Sequence, residues 1–269
     1  MPVLGALRSL WNHRALIARL SRRDISARWR GSFLGPLWAV AMPLFLLAVY
    51  SFVFSTILKG RWAPAAEGQP APPFAIVLFT GLILFQLFSE TINASPGIVR
   101  TNATFVKQVV FPLEILPVVA FVGALFQTLV SALVLAAGYV ILWGLPPASS
   151  LWLPLAILPL PFLTLGLAWL LAAIGAFVRD TAQVAALLTT ILMFLCPIFY
   201  PLDAVPQAYR FLVLWNPLSV VVSGARAALF GGPAPGLAEI AISTAVSLVF
   251  FELGYRFFCR TKEAFIDAV

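Results

Sequence analysis

Residues 115–178 read ILPVVAFVGALFQTLVSALVLAAGYVILWGLPPASSLWLPLAILPLPFLTLGLAWLLAAIGAFV, 64 residues without a single Asp, Glu, Lys or Arg. A helix needs about 20 apolar residues to cross the roughly 30 Å hydrocarbon core of a bilayer. The stretch is long enough for two crossings, and Trp143-Gly144-Leu145-Pro146-Pro147-Ala148-Ser149-Ser150 reads as the turn between them. Two membrane helices follow, over about 115–142 and 151–178. The whole 269-residue chain shares this character, with 62% hydrophobic and 10% charged residues. Soluble proteins carry roughly 45–50% and 25%. So little charge cannot cover a water-soluble surface, and a mean hydropathy of +1.01 agrees. A soluble enzyme, a disordered chain and a disulfide-stapled secreted domain are excluded, because Cys196 and Cys259 alone make no framework.

The remaining spans follow from the same argument. Gly31–Leu58 is free of charge and predicts a first span over 34–58. Its Arg-rich approach looks like a signal peptide, but the run is too long and no small-x-small cleavage site follows. Phe74–Ser89 gives 16 apolar residues before Glu90, about 24 Å of helix. The second span therefore extends to 98 and leaves that carboxylate near the membrane. Residues 181–200 predict a fifth span and 237–258 a sixth, despite Glu239 and Glu252. The expected fold is an all-α integral membrane protein of six helices. Residues 1–30 form an interface helix and 31–269 the transmembrane domain. Six spans put both termini on one side. Of 17 Lys and Arg, 13 flank that side: seven in 1–30, two in 90–114, Arg179 and three in the tail. Only Lys59, Arg61, Arg210 and Arg226 lie opposite. Basic residues are enriched in cytoplasmic flanks, so both termini are expected in the cytoplasm, with the protein in the inner membrane.

Three segments do not simply cross. In 1–30, Leu4, Leu7, Trp11, Ala18, Ile25 and Trp29 share one helical stripe, with Arg8, Arg19, Arg23 and Arg30 well away from it. Such a helix lies in the headgroup layer. Leu16, Ile17 and Leu20 leave the stripe, which predicts a break or a contact with a partner. The loop 99–114 is polar around Arg100, Asn102, Lys107 and Gln108, then turns apolar at Phe111-Pro112-Leu113. It reads either as a solvated loop or as a short helix, stopped by Pro112, that docks on a soluble partner. Residues 200–236 are punctuated by Pro201, Pro206, Pro217, Pro233 and Pro235. Irregular backbone at membrane depth must be buried in protein or face an aqueous cavity. A re-entrant hairpin is expected there, with an amphipathic surface loop as the alternative.

Catalytic and metal chemistry find no foothold. His13 has no His or Cys partner at ligand spacing, the acidic residues are scattered singly, and no G-x-x-x-x-G-K-[ST] loop is present. A pump built on this chain takes its energy from another subunit. Spans one, three, four and five hold no ionisable residue that could relay protons. Aromatics abound, including Trp38, Tyr50 and Phe54 in span one and Phe85 and Phe88 in span two. They serve either as lipid-facing bulk and interface belts or as a lining along which sugar C–H faces slide. Ala168, Ala172 and Ala176 form a small-residue face suited to close helix packing.

Arg23-Asp24-Ile25, Arg28-Trp29-Arg30-Gly31-Ser32, Leu34-Gly35-Pro36-Leu37-Trp38 and Pro43-Leu44 resemble the opening of ABC-2 type exporter permeases. Phe111-Pro112-Leu113-Glu114-Ile115-Leu116-Pro117, Arg179-Asp180, Pro197-Ile198-Phe199-Tyr200-Pro201 and Trp215-Asn216-Pro217-Leu218 with Arg226 follow in family order. The nearest likeness is to the polysaccharide branch: O-antigen (lipopolysaccharide), capsule and teichoic-acid exporters. The resemblance implies a homodimer with two copies of a cytoplasmic P-loop ATPase, which would bind the ATP and Mg; this chain itself needs no cofactor. It implies a lipid-linked polysaccharide threading between the subunits, contacts with membrane lipids, and export components further out in the envelope; nucleic acid plays no part. The Arg23–Gly31 helix would form a cytoplasmic gate, residues 100–112 the helix that inserts into the ATPase, and Pro197–Pro217 the outer gate.

On that reading the substrate and gate residues are Arg28, Arg30, Trp38, Tyr50, Phe54, Phe85, Phe88, Phe199, Tyr200 and Arg226. Those expected to couple to the ATPase are Arg23, Asp24, Asn102, Lys107, Phe111, Pro112, Arg179 and Asp180. Arg28 and Arg30 suit an anionic headgroup, since arginine binds phosphate in two-pronged fashion, though lipid anchoring uses the same charges. The Pro/Ala-rich linker 59–73 has no polymer-binding feature. Export of a drug or small lipid, proton-coupled transport, and a membrane acyl- or glycosyltransferase are the competing readings. The last needs a His/Asp or Asp-rich set that the sequence lacks.

Overall fold

The computed structural model describes residues 2–57, 72–106 and 111–268. The regular structure among them is entirely helical. The principal helices are α1 (Pro2–Asn12), α2 (Arg14–Arg28), α3 (Trp38–Tyr50), α4 (Phe74–Ala94), α5 (Leu116–Leu142), α6 (Pro159–Phe177), α7 (Thr181–Leu195), α8 (Pro217–Phe230) and α9 (Leu237–Thr261). Extended by their flanking turns, five runs are long and apolar enough to span a membrane: Gly35–Phe54, Phe74–Thr101, Leu113–Leu142, Ala148–Phe177 and Leu237–Ala264. These are the expected spans one to four and six. Prolines at the first turns of α5, α6 and α8 sit where a missing N–H costs nothing.

The expected fifth span, 181–200, is an apolar helix short of membrane-crossing length. α7 has 15 residues, about 22 Å. Pro197 stops it, because a proline drives the preceding residue out of helical geometry; Cys196 is extended, at ψ 142°. The chain then bends through 92° between Gln207–Leu214 and Pro217–Phe230 before the last span, within the proline-punctuated segment expected to be re-entrant. The acids of the last span are accommodated. Glu239 accepts the Gly236 N–H at 3.1 Å in the first turn of α9, where the helix dipole favours negative charge, and Glu252 pairs with Arg256 one turn on.

The amphipathic segment is two helices, broken at His13, whose Nδ1 donates to the Ser9 carbonyl at 2.8 Å. Ala6, Leu20 and Ser21 are buried and Ile17 packs on the core, whereas Leu7 and Trp11 of the expected stripe face outward. Leu20 and Ile17, both off the stripe, thus touch the bundle. Helix α4 runs buried through the centre, while α3 lies at the edge with Val40, Leu44, Phe45 and Phe52 exposed. The closest pairing is α6 on α9. At Gly166 and Gly254 the two backbones touch, and a methyl on either glycine would overlap the other helix. Trp169 fills the space beside this contact, edge-on to Phe251 and Tyr255 at 5.0 and 5.1 Å. Ala168, Ala172 and Ala176 are buried on α6, as small residues at a helix interface should be.

Candidate functional site

Two ends of the bundle gather the residues singled out in the sequence. At the end that holds both termini, α2 lies across α4 and α5. Arg28 forms an ion pair with Glu90 of α4 and a second, at 3.6 Å, with Asp24 on its own helix. The approach depends on Gly123 of α5, where a Cβ would stand 2.7 Å from Arg28 Nη2 and 3.2 Å from Asp24 Oδ2. Trp29 meets Phe126 of α5 at 6.1 Å. Arg28 is therefore engaged by protein carboxylates, while Arg30 is exposed. Arg23, one turn back, lies 5.6 Å over the Phe105 ring, which stacks on Phe111 at 4.5 Å. This puts α2 in contact with the 99–114 loop. Asn102 ends the helical turn Ile98–Thr101 by donating to the Ile98 carbonyl at 2.8 Å. Pro112 precedes the turn Leu113–Ile115. Arg100 donates to the Ala176 carbonyl at 3.3 and 3.2 Å, binding that loop to the end of α6 just before the exposed Arg179-Asp180 pair. Within the loop, a helical turn forms at Ala103–Val106; Lys107 lies outside the described residues.

Sequence reasoning missed the second carboxylate at this end. Glu114 is buried at the start of span three. Its side chain accepts from Ser9 of α1 at 3.4 Å and faces Lys262 Nζ at 3.6 Å, and its carbonyl accepts the Trp169 indole N–H at 2.8 Å. One residue thus joins the N-terminal helix, span four and the chain beyond the last span. The only hint in the sequence was an acid at the head of a charge-free run.

The opposite end is built around Arg226 in α8, which is buried. Its Nε donates to the Val77 carbonyl at 3.1 Å and Nη2 to the Ile198 carbonyl at 2.7 Å; Nη1 donates to the Pro197 carbonyl. The guanidinium supplies donors to the Pro197 and Ile198 carbonyls, left open by the break after α7, and to the Val77 carbonyl in the first turn of α4. Gly81 leaves room for it, since a Cβ there would sit 2.9 Å from Nη2. The ends of α8 are satisfied likewise. The Asn216 side chain accepts the Leu218 N–H at 3.1 Å, Tyr139 donates to the Leu229 carbonyl at 2.7 Å, and Ser149 donates to the Ala228 carbonyl at 2.9 Å. A cavity of about 310 Å³ opens beside Arg226, between Pro197, Asp203, Ser219, Ser223 and Glu239. Phe199 stacks on Phe194 at 5.9 Å, and the Tyr200 hydroxyl donates to the Phe194 carbonyl at 2.8 Å.

The aromatics of the first two spans divide. Phe85 and Phe88 are buried in this subunit's own core, 6.0 Å apart, so one chain presents neither to a passage. Tyr50 and Phe54 near the end of span one form a run with Phe74 at the start of span two, at 6.3 and 5.0 Å, and Trp38 is half-buried at the start of span one.

Five membrane-length helices, a bent pair before the last of them and an N-terminal helix pair packed on the bundle describe a multi-span membrane protein. Residues 15–230 match the family model described as ABC-2 type transporter, and the chain belongs to that family of membrane subunits, which carry no ATPase domain of their own and work with a separate one. It is 27% identical over 272 residues to the O-antigen export system permease protein RfbA of Myxococcus xanthus, covering 99% of this chain and all of that one. It is 24% identical to the protein of the same name from Klebsiella pneumoniae, over 94% of both. To the polysialic acid transport protein KpsM of Escherichia coli it is 26% identical, over 94% of this chain and 95% of that one.

Proposed function

We propose that this chain is the permease subunit of an ATP-driven exporter of a lipid-linked polysaccharide, acting as a homodimer with two copies of a cytoplasmic ATPase. The observation that carries the substrate class is the end-to-end likeness to proteins named for O-antigen export and for polysialic acid transport. Thirteen basic residues on the side of the termini support a cytoplasmic placement of that end in the inner membrane. The ATPase then meets the surface formed by Phe105, Phe111, Pro112 and Arg179-Asp180. ATP and Mg belong to that partner and supply the phosphoryl-transfer energy. This chain's own part is to hold residues 98–106 against α2 and α6, through Arg23 over Phe105 and Arg100 on Ala176, so that a push there moves both helices. At the other end Arg226 ties α7, α8 and α4 together, so the re-entrant element moves with span two. Polymer passing between two copies would meet Tyr50, Phe54, Phe199 and Tyr200, whose rings offer stacking surfaces without fixed hydrogen bonds.

The test is a clean deletion in the source bacterium, scored for polysaccharide at the cell surface. The reading predicts that surface polymer disappears while lipid-linked polymer accumulates inside, and that the wild-type gene restores export. Normal surface polymer in the deletion strain, with sensitivity to a drug gained instead, would overturn it in favour of a small-molecule exporter.

A further inference from the structure

Helix α2 is tethered at its C-terminal end in two ways. Its C-terminal turn docks through Arg28 on Glu90 and Trp29 on Phe126. Beyond it, the chain to span one runs through Gly31 and Gly35, with φ +81° and +51°, left-handed conformations that glycine adopts freely. Between them Phe33 is fully exposed, so nothing packs on this turn. The ion pair is partly solvated, with the Arg28 and Glu90 side chains 32% and 28% exposed. Pairs of that kind shift an equilibrium by no more than about fivefold, which suits a contact that must open and close. Asp24 sits one turn from Arg28 on the same helix, so it travels with the guanidinium and keeps its charge compensated when Glu90 lets go. Gly123 leaves α5 smooth beneath both side chains.

We infer that Glu90 is a positioning residue: through Arg28 it latches α2 onto spans two and three, and the helix swings about the Gly31–Gly35 turn when the latch opens. This goes beyond the proposed function and rests on it only for the transport readout. The experiment uses the full complex with its ATPase in nanodiscs, in a Cys259→Ser background, with spin labels on the exposed residues Ala27 and Leu129. With the doubly labelled chain diluted in unlabelled chain, so that each dimer carries at most one labelled copy, the native protein gives one narrow intra-subunit distance distribution. Glu90→Gln broadens it and lowers export per inserted molecule by about fivefold. Arg28→Glu with Glu90→Arg, made in an Asp24→Asn chain so that no acid opposes the reversed charge on α2, restores both, and Glu90→Asp keeps both close to native. A narrow distribution in Glu90→Gln, or a swapped pair that inserts yet stays broad, would overturn the latch. Should the swap not accumulate, Glu90→Asp decides: broadening as large as in Glu90→Gln rules out a charge-based latch. Broadening in a protein whose wild type exports no polymer would count against the substrate reading and leave the latch standing.

Discussion

The side-chain amide of Gln127 donates to the Ala39 carbonyl at 2.9 Å, and Ala39 is the residue whose helical donor Pro43 removes. Proline lacks the N–H that would reach back four residues, and Ala39 is buried, so the carbonyl needs a donor from the protein. Span three therefore completes the hydrogen bonding of span one. Gln127→Leu should lower stability by about 0.6–1.7 kcal/mol, the range for side-chain hydrogen bonds between membrane helices. In a Pro43→Ala background the lost donor returns, and the same substitution should cost much less. Thermal unfolding of the four proteins in one detergent closes this cycle; equal costs in both backgrounds would refute the pairing.

Arg226 is the second such device. Each hydrogen bond to a charged group contributes about 1.5–3 kcal/mol, and Arg226→Ala gives up three carbonyl contacts at once. The variant should fail to accumulate as a monodisperse species by fluorescence size-exclusion. Arg226→Lys, which keeps the charge but not the planar fork, should fall between it and the native protein.

Close packing of α6 on α9 predicts an asymmetry among glycines. Gly254→Ala, which places a methyl on the Gly166 carbonyl, should cost about 1–3 kcal/mol by overpacking. Gly236→Ala, with open space around it and φ −62°, should stay within about 0.5 kcal/mol. Melting temperatures compared side by side test both at once.

The ring pair under Arg23 predicts a functional effect without loss of fold. Phe105→Ala removes the platform that joins α2 to the loop. It should weaken coupling between ATP hydrolysis and transport by about 0.5–2 kcal/mol, read as fewer polymer chains exported per ATP at unchanged protein level. Unaltered stoichiometry would show that this contact transmits nothing.

What the sequence revealed, and what it concealed, has a physical division. Spans were readable because crossing a bilayer needs length and apolarity, which both persist in a linear string. The bend before Pro217 was readable because proline acts locally, whereas the stop at Cys196-Pro197 was passed over: apolarity continues to residue 200 and hid the end of the helix. The inward face of the N-terminal helices was not: the break at His13 resets the helical phase, and Ala6 and Ser21 are buried without being strongly apolar. The partners of Arg226 are backbone carbonyls, which any sequence supplies. Glu90 and Arg28 stand 62 residues apart, so only the fold unites them. Phe85 and Phe88 looked the same as rings that face outward, because an all-apolar helix gives no periodicity to tell core from lipid or passage.

The central claim is that ATP, hydrolysed by a partner, drives a polysaccharide on its lipid carrier through this subunit. Inside-out vesicles containing the permease and its ATPase, loaded externally with radiolabelled lipid-linked polymer, test it directly. The account predicts protection of the polymer inside the vesicles only when hydrolysable ATP is present, and none when the permease is omitted or a non-hydrolysable analogue is used. Protection driven by a pH gradient in the absence of ATP would contradict it.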